Sequence, residues 1–201
     1  MRTLFFDVDT QLDFVFPGGA LYVPGAEEIV QQLAALTRFA IQNGIQIIST
    51  ADAHTEDDPE FKIWKPHCVA GTTGQTKIGG TIGASPLVLS SMSGAFSAVE
   101  SQLQNAKQIL IEKQHIDCFT NPNLNPLLAI CAAERYVVYG VVTEVCVRCA
   151  AFGLLRTGAR VELVTDAVKS LSPSEETDML AQFQAAGGFL TTTKTVISGG
   201  A

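Results

Sequence analysis

Asp9, Lys113 and Cys146 stand far apart in the chain, and together they are the residue types of a covalent hydrolytic reaction. A thiol that attacks a carbonyl needs a base for its proton and an acid for the leaving group, and one carboxylate serves both in turn. A nearby lysine favours the thiolate and fixes the carboxylate. The alternatives are a structural ion pair for Asp9 and Lys113, and a small buried hydrophobe for Cys146. A second set is Asp52-Ala53-His54, Glu60 and His67. Carboxylate and imidazole ligands in one loop suit a divalent transition metal, zinc first, with manganese or iron as neighbours in the softness order. Cys68 is a competing soft ligand, and Glu56, Asp57 and Asp58 read as a solvated acidic run. A third set is aromatic. Phe14 and Trp64, with Phe61 near, offer two faces for a flat ring, although core or lid packing gives the same spacing.

The elements that must position these residues follow from periodicity. Residues 137–142, nearly all β-branched or aromatic around Gly140, predict a buried strand. Residues 144–157 carry apolar side chains at helical spacing, and Gly158 stops them. Cys146 is thus expected in the first turn of a helix, just past a strand. Free N–H groups and the helix dipole there would lower the thiol pKa and hold an oxyanion. Five further strands are expected at 4–8, 45–50, 109–112, 161–165 and 189–193. Helices are expected at 29–41, 122–133 and 174–186. This alternation predicts one domain over residues 1–201 with a three-layer α/β/α arrangement: a doubly wound, mostly parallel, six-stranded sheet. Residues 51–108 form a long loop region rich in Gly, Thr, Ser and Pro, as functional loops are. Asp9, Asp52, Lys113 and Cys146 all fall at strand C-termini, hence on one edge. To unite Asp9, Lys113 and Cys146, the expected order sets strand 45–50 beside 4–8, then 109–112, then 137–142.

Composition narrows the class. A net charge of −7 gives no electrostatic footprint for nucleic acid or an anionic membrane. With 47% hydrophobic and 16% charged residues, a large subunit interface is expected, hence a homo-oligomer. The early acidic residue Asp7 argues against a signal peptide, and no apolar run reaches membrane-spanning length. Five cysteines, an odd number, predict free thiols and a cytoplasmic setting.

The motifs also form a pattern. Asp9-Thr10-Gln11-Leu12-Asp13-Phe14, Asp52-Ala53-His54, Trp64-Lys65-Pro66-His67-Cys68, Lys113 and Thr143-Glu144-Val145-Cys146-Val147 occur in order. In these the chain resembles the isochorismatase-like cysteine hydrolase superfamily, most closely its nicotinamidase/pyrazinamidase branch. The resemblance implies an Asp9–Lys113–Cys146 triad. It implies a cis peptide at Val141-Val142 that turns the Val142 N–H, with that of Cys146, toward an oxyanion. It implies Asp52, His54 and His67 as metal ligands, Glu60 as a variable fourth, and Phe14 and Trp64 around a nicotinamide ring. The implied reaction is deamidation of nicotinamide, or a similar heteroaromatic carboxamide, through a thioester. The other readings are an amidase for a carbamoyl or ureido substrate, an isochorismatase-type hydrolase and a catalytically idle binding protein. Asp7, Thr10, Lys65 and the whole of segment 114–122 depart from the pattern.

Overall fold

The N-terminal apolar run forms β1, Thr3–Val8, with all six residues buried. It is the central strand of one seven-stranded parallel sheet ordered β3-β4-β2-β1-β5-β6-β7. The computed structural model describes residues 1–91, 101–103 and 105–199. The other strands are β2 (Gln46–Asp52), β3 (Leu87–Leu89), β4 (Gln108–Lys113), β5 (Arg135–Val141), β6 (Arg160–Lys169) and β7 (Phe189–Thr191). Six helices are described: α1 (Leu12–Val15), α2 (Val30–Gln42), α3 (Leu124–Cys131), α4 (Arg148–Leu155), α5 (Pro173–Ala185) and α6 (Thr193–Ser198). No helix among the described residues is long and apolar enough to cross a membrane.

A strand buried on both faces feeds two cores by alternation. Leu4, Phe6 and Val8 pack with Leu127 of α3, Leu154 of α4 and Phe183 of α5. Phe5 points the other way, toward Leu33 and Leu36 of α2. Helices therefore cover both faces of the sheet, as the alternation of elements predicts.

Two expectations need correction. The sheet has seven strands, because Leu87–Leu89 adds a three-residue edge strand within the 51–108 region. Three residues are too few to show a period. The part of that region at 92–100 and 104 lies outside the described residues. The strand order also differs: β4 pairs with β2, not β1, so β2 separates Lys113 from Asp9. The expected order assumed that residues meeting in one site need adjacent strands. A lysine stem is long enough to reach over one intervening strand, so adjacency is unnecessary. The short helices α1 and α6 had no detectable period either.

Gly140 sets how closely β5 runs beside β1. Its φ is +125°, and a Cβ there would collide with the Val8 carbonyl. Only glycine fits both conditions. The next residue after β1 is Asp9, itself at φ +48°, so this close approach brings its carboxylate to the end of β5.

Candidate active site

Asp9 follows β1, Lys113 ends β4, and Cys146 lies beyond β5, so all three stand at the carboxyl edge of the sheet. The Lys113 ammonium is buried at the point where they converge. Its Nζ lies 2.9 Å from Asp9 Oδ2 and 3.8 Å from Cys146 Sγ, and it also donates to Asp52 Oδ1. Burial alone would lower the lysine pKa, but the Asp52 and Asp9 carboxylates raise it well above its usual value. The ammonium thus stays charged. The Thr50 hydroxyl donates to Asp9 Oδ1 at 2.6 Å. Burial nevertheless dominates at Asp9 and raises its pKa, with Lys113 opposing and Asp52 reinforcing.

The thiol departs from expectation. Cys146 does not open an ordinary α-helix; Thr143–Val147 is one wide π-helical turn that leads into α4. The Val142 carbonyl accepts from Val145 and Val147, each at 3.1 Å, and passes over Cys146. The thiol pKa is raised, not lowered. Burial pushes it well up, Lys113 opposes, and the Asp9 and Asp52 carboxylates raise it further. Desolvation of a thiolate at a buried site outweighs the helix end. The resting Cys146 side chain is a neutral thiol, so any attack by it requires a base. The Val141-Val142 peptide is cis, as the resemblance implies.

Asp52, His54 and His67 converge beside this triad. One ligand atom from each falls within 4.8 Å of the others, and all three residues are buried. His54 Nε2 and His67 Nε2 lie 3.8 and 3.6 Å from Asp52 Oδ2. Their Nδ1 atoms face outward, toward Asp58 Oδ2 at 3.0 Å and the Lys65 carbonyl at 2.7 Å. With Nδ1 carrying the proton, each Nε2 presents a lone pair inward. His54 Nε2 is buried without a hydrogen-bond partner. That orphaned atom, beside a second imidazole and a carboxylate, fits a divalent ion such as zinc. Asp52 suits the role because the Lys113 ammonium offsets its burial and holds its carboxyl far below the usual range. Glu60 lies outside this tight group but lines the same cavity.

Asp58 corrects the reading of an acidic run. It is buried, it caps the turn Pro59–Lys62 by accepting from the Glu60 N–H at 2.9 Å, and it orients His54. The available signal was an Asp directly before a proline, four residues after a histidine. Cys68 is not a competing ligand, since its Sγ faces the Gly74 carbonyl at 3.9 Å. Gln11 was also overlooked. Its amide exchanges hydrogen bonds with the Asp52 backbone, accepting at 2.7 Å and donating at 2.8 Å, and so fixes the ligand.

A cavity opens over these groups. Cys146, Asp52, His67 and Glu60 contribute its polar wall, and Phe14, Trp64, Ile116, Leu171 and Val142 are among its apolar residues. The Phe14 ring lies 5.3 Å from that of His67. Phe61 instead packs on the two histidines, at 5.2 and 5.7 Å, as their support. Ile116 and Leu171 carried no signal in the sequence, because a lone exposed apolar residue is unremarkable.

Residues 92–195 match the isochorismatase domain family. The fold aligns with a pyrazinamidase of Pyrococcus horikoshii, solved in complex with zinc, at 26% identity and a TM-score of 0.79, covering 96% of this chain and 99% of that one. A pyrazinamidase/nicotinamidase from Streptococcus mutans aligns at 26% identity and a TM-score of 0.77, covering 94% and 99%. An isochorismatase family protein of Bacillus subtilis is 24% identical over 187 residues, which is 91% of this chain and 94% of that protein. With the family model matching more than half of its length, the chain belongs to the isochorismatase family of hydrolases.

Proposed function

We propose that this protein is a cysteine amidase that deamidates nicotinamide or a similar heteroaromatic carboxamide to the acid and ammonia. One observation carries the reading: the charged Lys113 touches Asp9, Asp52 and Cys146 together beneath a cavity whose wall includes Phe14 and Trp64. Resemblance to a zinc-bound pyrazinamidase at 26% identity supports it. So do the motif residues, which converge as the family pattern implies.

In this mechanism Asp9 takes the Cys146 thiol proton, and Lys113 stabilises the charges so formed. The Cys146 sulfur bonds to the amide carbon, and the Val142 and Cys146 N–H groups receive the oxyanion. Asp9 then gives its proton to the amide nitrogen, the C–N bond breaks, and ammonia leaves a thioester. Water attacks that thioester as Asp9 accepts its proton. The carbon–sulfur bond breaks, the acid leaves, and the proton returns to sulfur. Asp52, His54 and His67, with Glu60 at the rim, would hold a divalent ion whose Lewis acidity orients a ring nitrogen. Phe14 and Trp64 would hold the ring by its faces. We place the enzyme in the cytoplasm as a single-domain homo-oligomer, on its free thiols and apolar composition.

The test compares nicotinamide, pyrazinamide, benzamide and a ureido amide by ammonia release. Preference for both nitrogen heterocycles over benzamide is the expected result. A preference for the ureido amide would move the chain to another amidase branch, and no turnover on any amide would remove it from this reaction.

A further inference from the structure

The wall of the cavity is asymmetric in charge. Its acidic members are Asp52 and Glu60, and no lysine or arginine stands among the described residues that line it. At its mouth are two of the large apolar side chains that the chain leaves exposed: Ile116 at 41% and Leu171 at 44%. Exposed apolar residues that share one cavity mark a binding surface more than two isolated ones would.

Both are held in place. Gln114 donates to the Ala53 carbonyl at 3.3 Å, ahead of Ile116. After it, Asp117 caps the next turn by accepting from the Phe119 N–H at 2.9 Å, and Asn121 donates to the Glu112 carbonyl at 2.6 Å. The Phe119 ring fills the space a Cβ on Gly153 would need, and the Arg156 guanidinium lies 5.3 Å from its centre. Segment 114–122, which departs from the family pattern, is therefore a built wall that presents Ile116. Leu171 is tied to the nucleophile's own turn, because Glu144 accepts from the Leu171 and Ser172 N–H groups at 2.8 and 3.1 Å.

We propose that Ile116 and Leu171 form an apolar lip that sets substrate choice, admitting neutral planar amides and turning away amides whose outward end carries a carboxylate. An anion at that lip would lose water against two apolar side chains, with no lysine or arginine among the described lining residues to pair with it, an uncompensated cost. The proposal rests on the amidase reading for its chemistry, but its test does not require turnover. Trp64 is the sole tryptophan of the chain and lines the cavity, so its fluorescence reports occupancy directly.

The full-length protein, with its metal as isolated, is titrated with pyridine-3-carboxamide and with the same ring bearing an added 5-carboxylate. The wild type is expected to bind the neutral amide roughly tenfold more tightly, within the range a single well-placed group confers. Ile116→Lys should shrink that ratio by about fivefold or more, while Ile116→Leu should preserve it. Leu171→Ala should weaken the neutral amide by a few fold, as lost apolar contact does. An Ile116→Lys ratio equal to wild type overturns the lip, whether or not ammonia is released. Failure of both probes to change Trp64 emission overturns it too. The expected ratios without ammonia release would leave the lip standing and remove the amidase.

Discussion

Lys113 is the residue on which the proposed site depends, because its charge is shared among Asp9, Cys146 and Asp52. With the Cys146 thiol held neutral by burial, the base has to act, and its own pKa decides when it can. Burial raises the Asp9 pKa despite Lys113, so below that raised value Asp9 is protonated and cannot accept the thiol proton. The kcat/KM profile should therefore lose activity on the acid side at a pH above the ordinary aspartate range of about 3.9. Thr50→Val removes the hydroxyl that donates to Asp9, and should shift that acid limb further upward. A profile flat through the carboxylate range would contradict a base role for Asp9. The two neighbouring cysteines should separate by function. Cys146→Ala should lower kcat by roughly 10³-fold or more, as loss of a covalent nucleophile does. Cys149→Ala, one turn further on and half-buried, should lower stability by no more than about 1–2 kcal/mol and leave turnover near normal.

At the scale of elements, the sequence revealed the Asp52, His54 and His67 cluster better than the sheet. Asp52, His54 and His67 were legible because ligand chemistry resides in residue identity and spacing. Their outward partners, Asp58 and the Lys65 carbonyl, depend on local turn geometry, which composition does not encode. The order of strands was misread for a similar reason, since nothing in residues 109–113 states how far a lysine stem must reach. His54→Ala should abolish stoichiometric metal binding while the melting temperature of metal-free protein stays close to that of metal-free wild type. Two cores on opposite sheet faces support the fold, and none of Asp52, His54 and His67 belongs to either. Unfolding on chelation alone would instead mark a structural metal. Gly140→Ala acts on the frame. At φ +125° and against the Val8 carbonyl, it should cost about 2–4 kcal/mol, seen as a thermal melt lowered by several degrees.

Across the whole molecule, the alternation of strand and helix sufficed for the α/β class, because a parallel sheet buried on both faces leaves continuous apolar runs. Edge strand Leu87–Leu89 and the apolar lip escaped, being products of packing and not of pattern. Stability toward acid also has a distant source. At the far end of the sheet, Glu162 is buried, which alone would raise its pKa, but hydrogen bonds from Arg135 and Arg160 lower it. That contribution is complete above the unfolded glutamate value of about 4.3 and fades as pH falls toward the lower folded value. Glu162→Gln should accordingly flatten the loss of melting temperature in that window. The covalent route through Cys146 is the central claim, and hydroxylamine trapping tests it most directly. If a thioester forms, nicotinamide turned over in the presence of hydroxylamine should yield nicotinohydroxamate at the expense of nicotinate, and Cys146→Ala should yield none. Ammonia release with no hydroxamate at saturating hydroxylamine, or hydroxamate formation undiminished in Cys146→Ala, would contradict it.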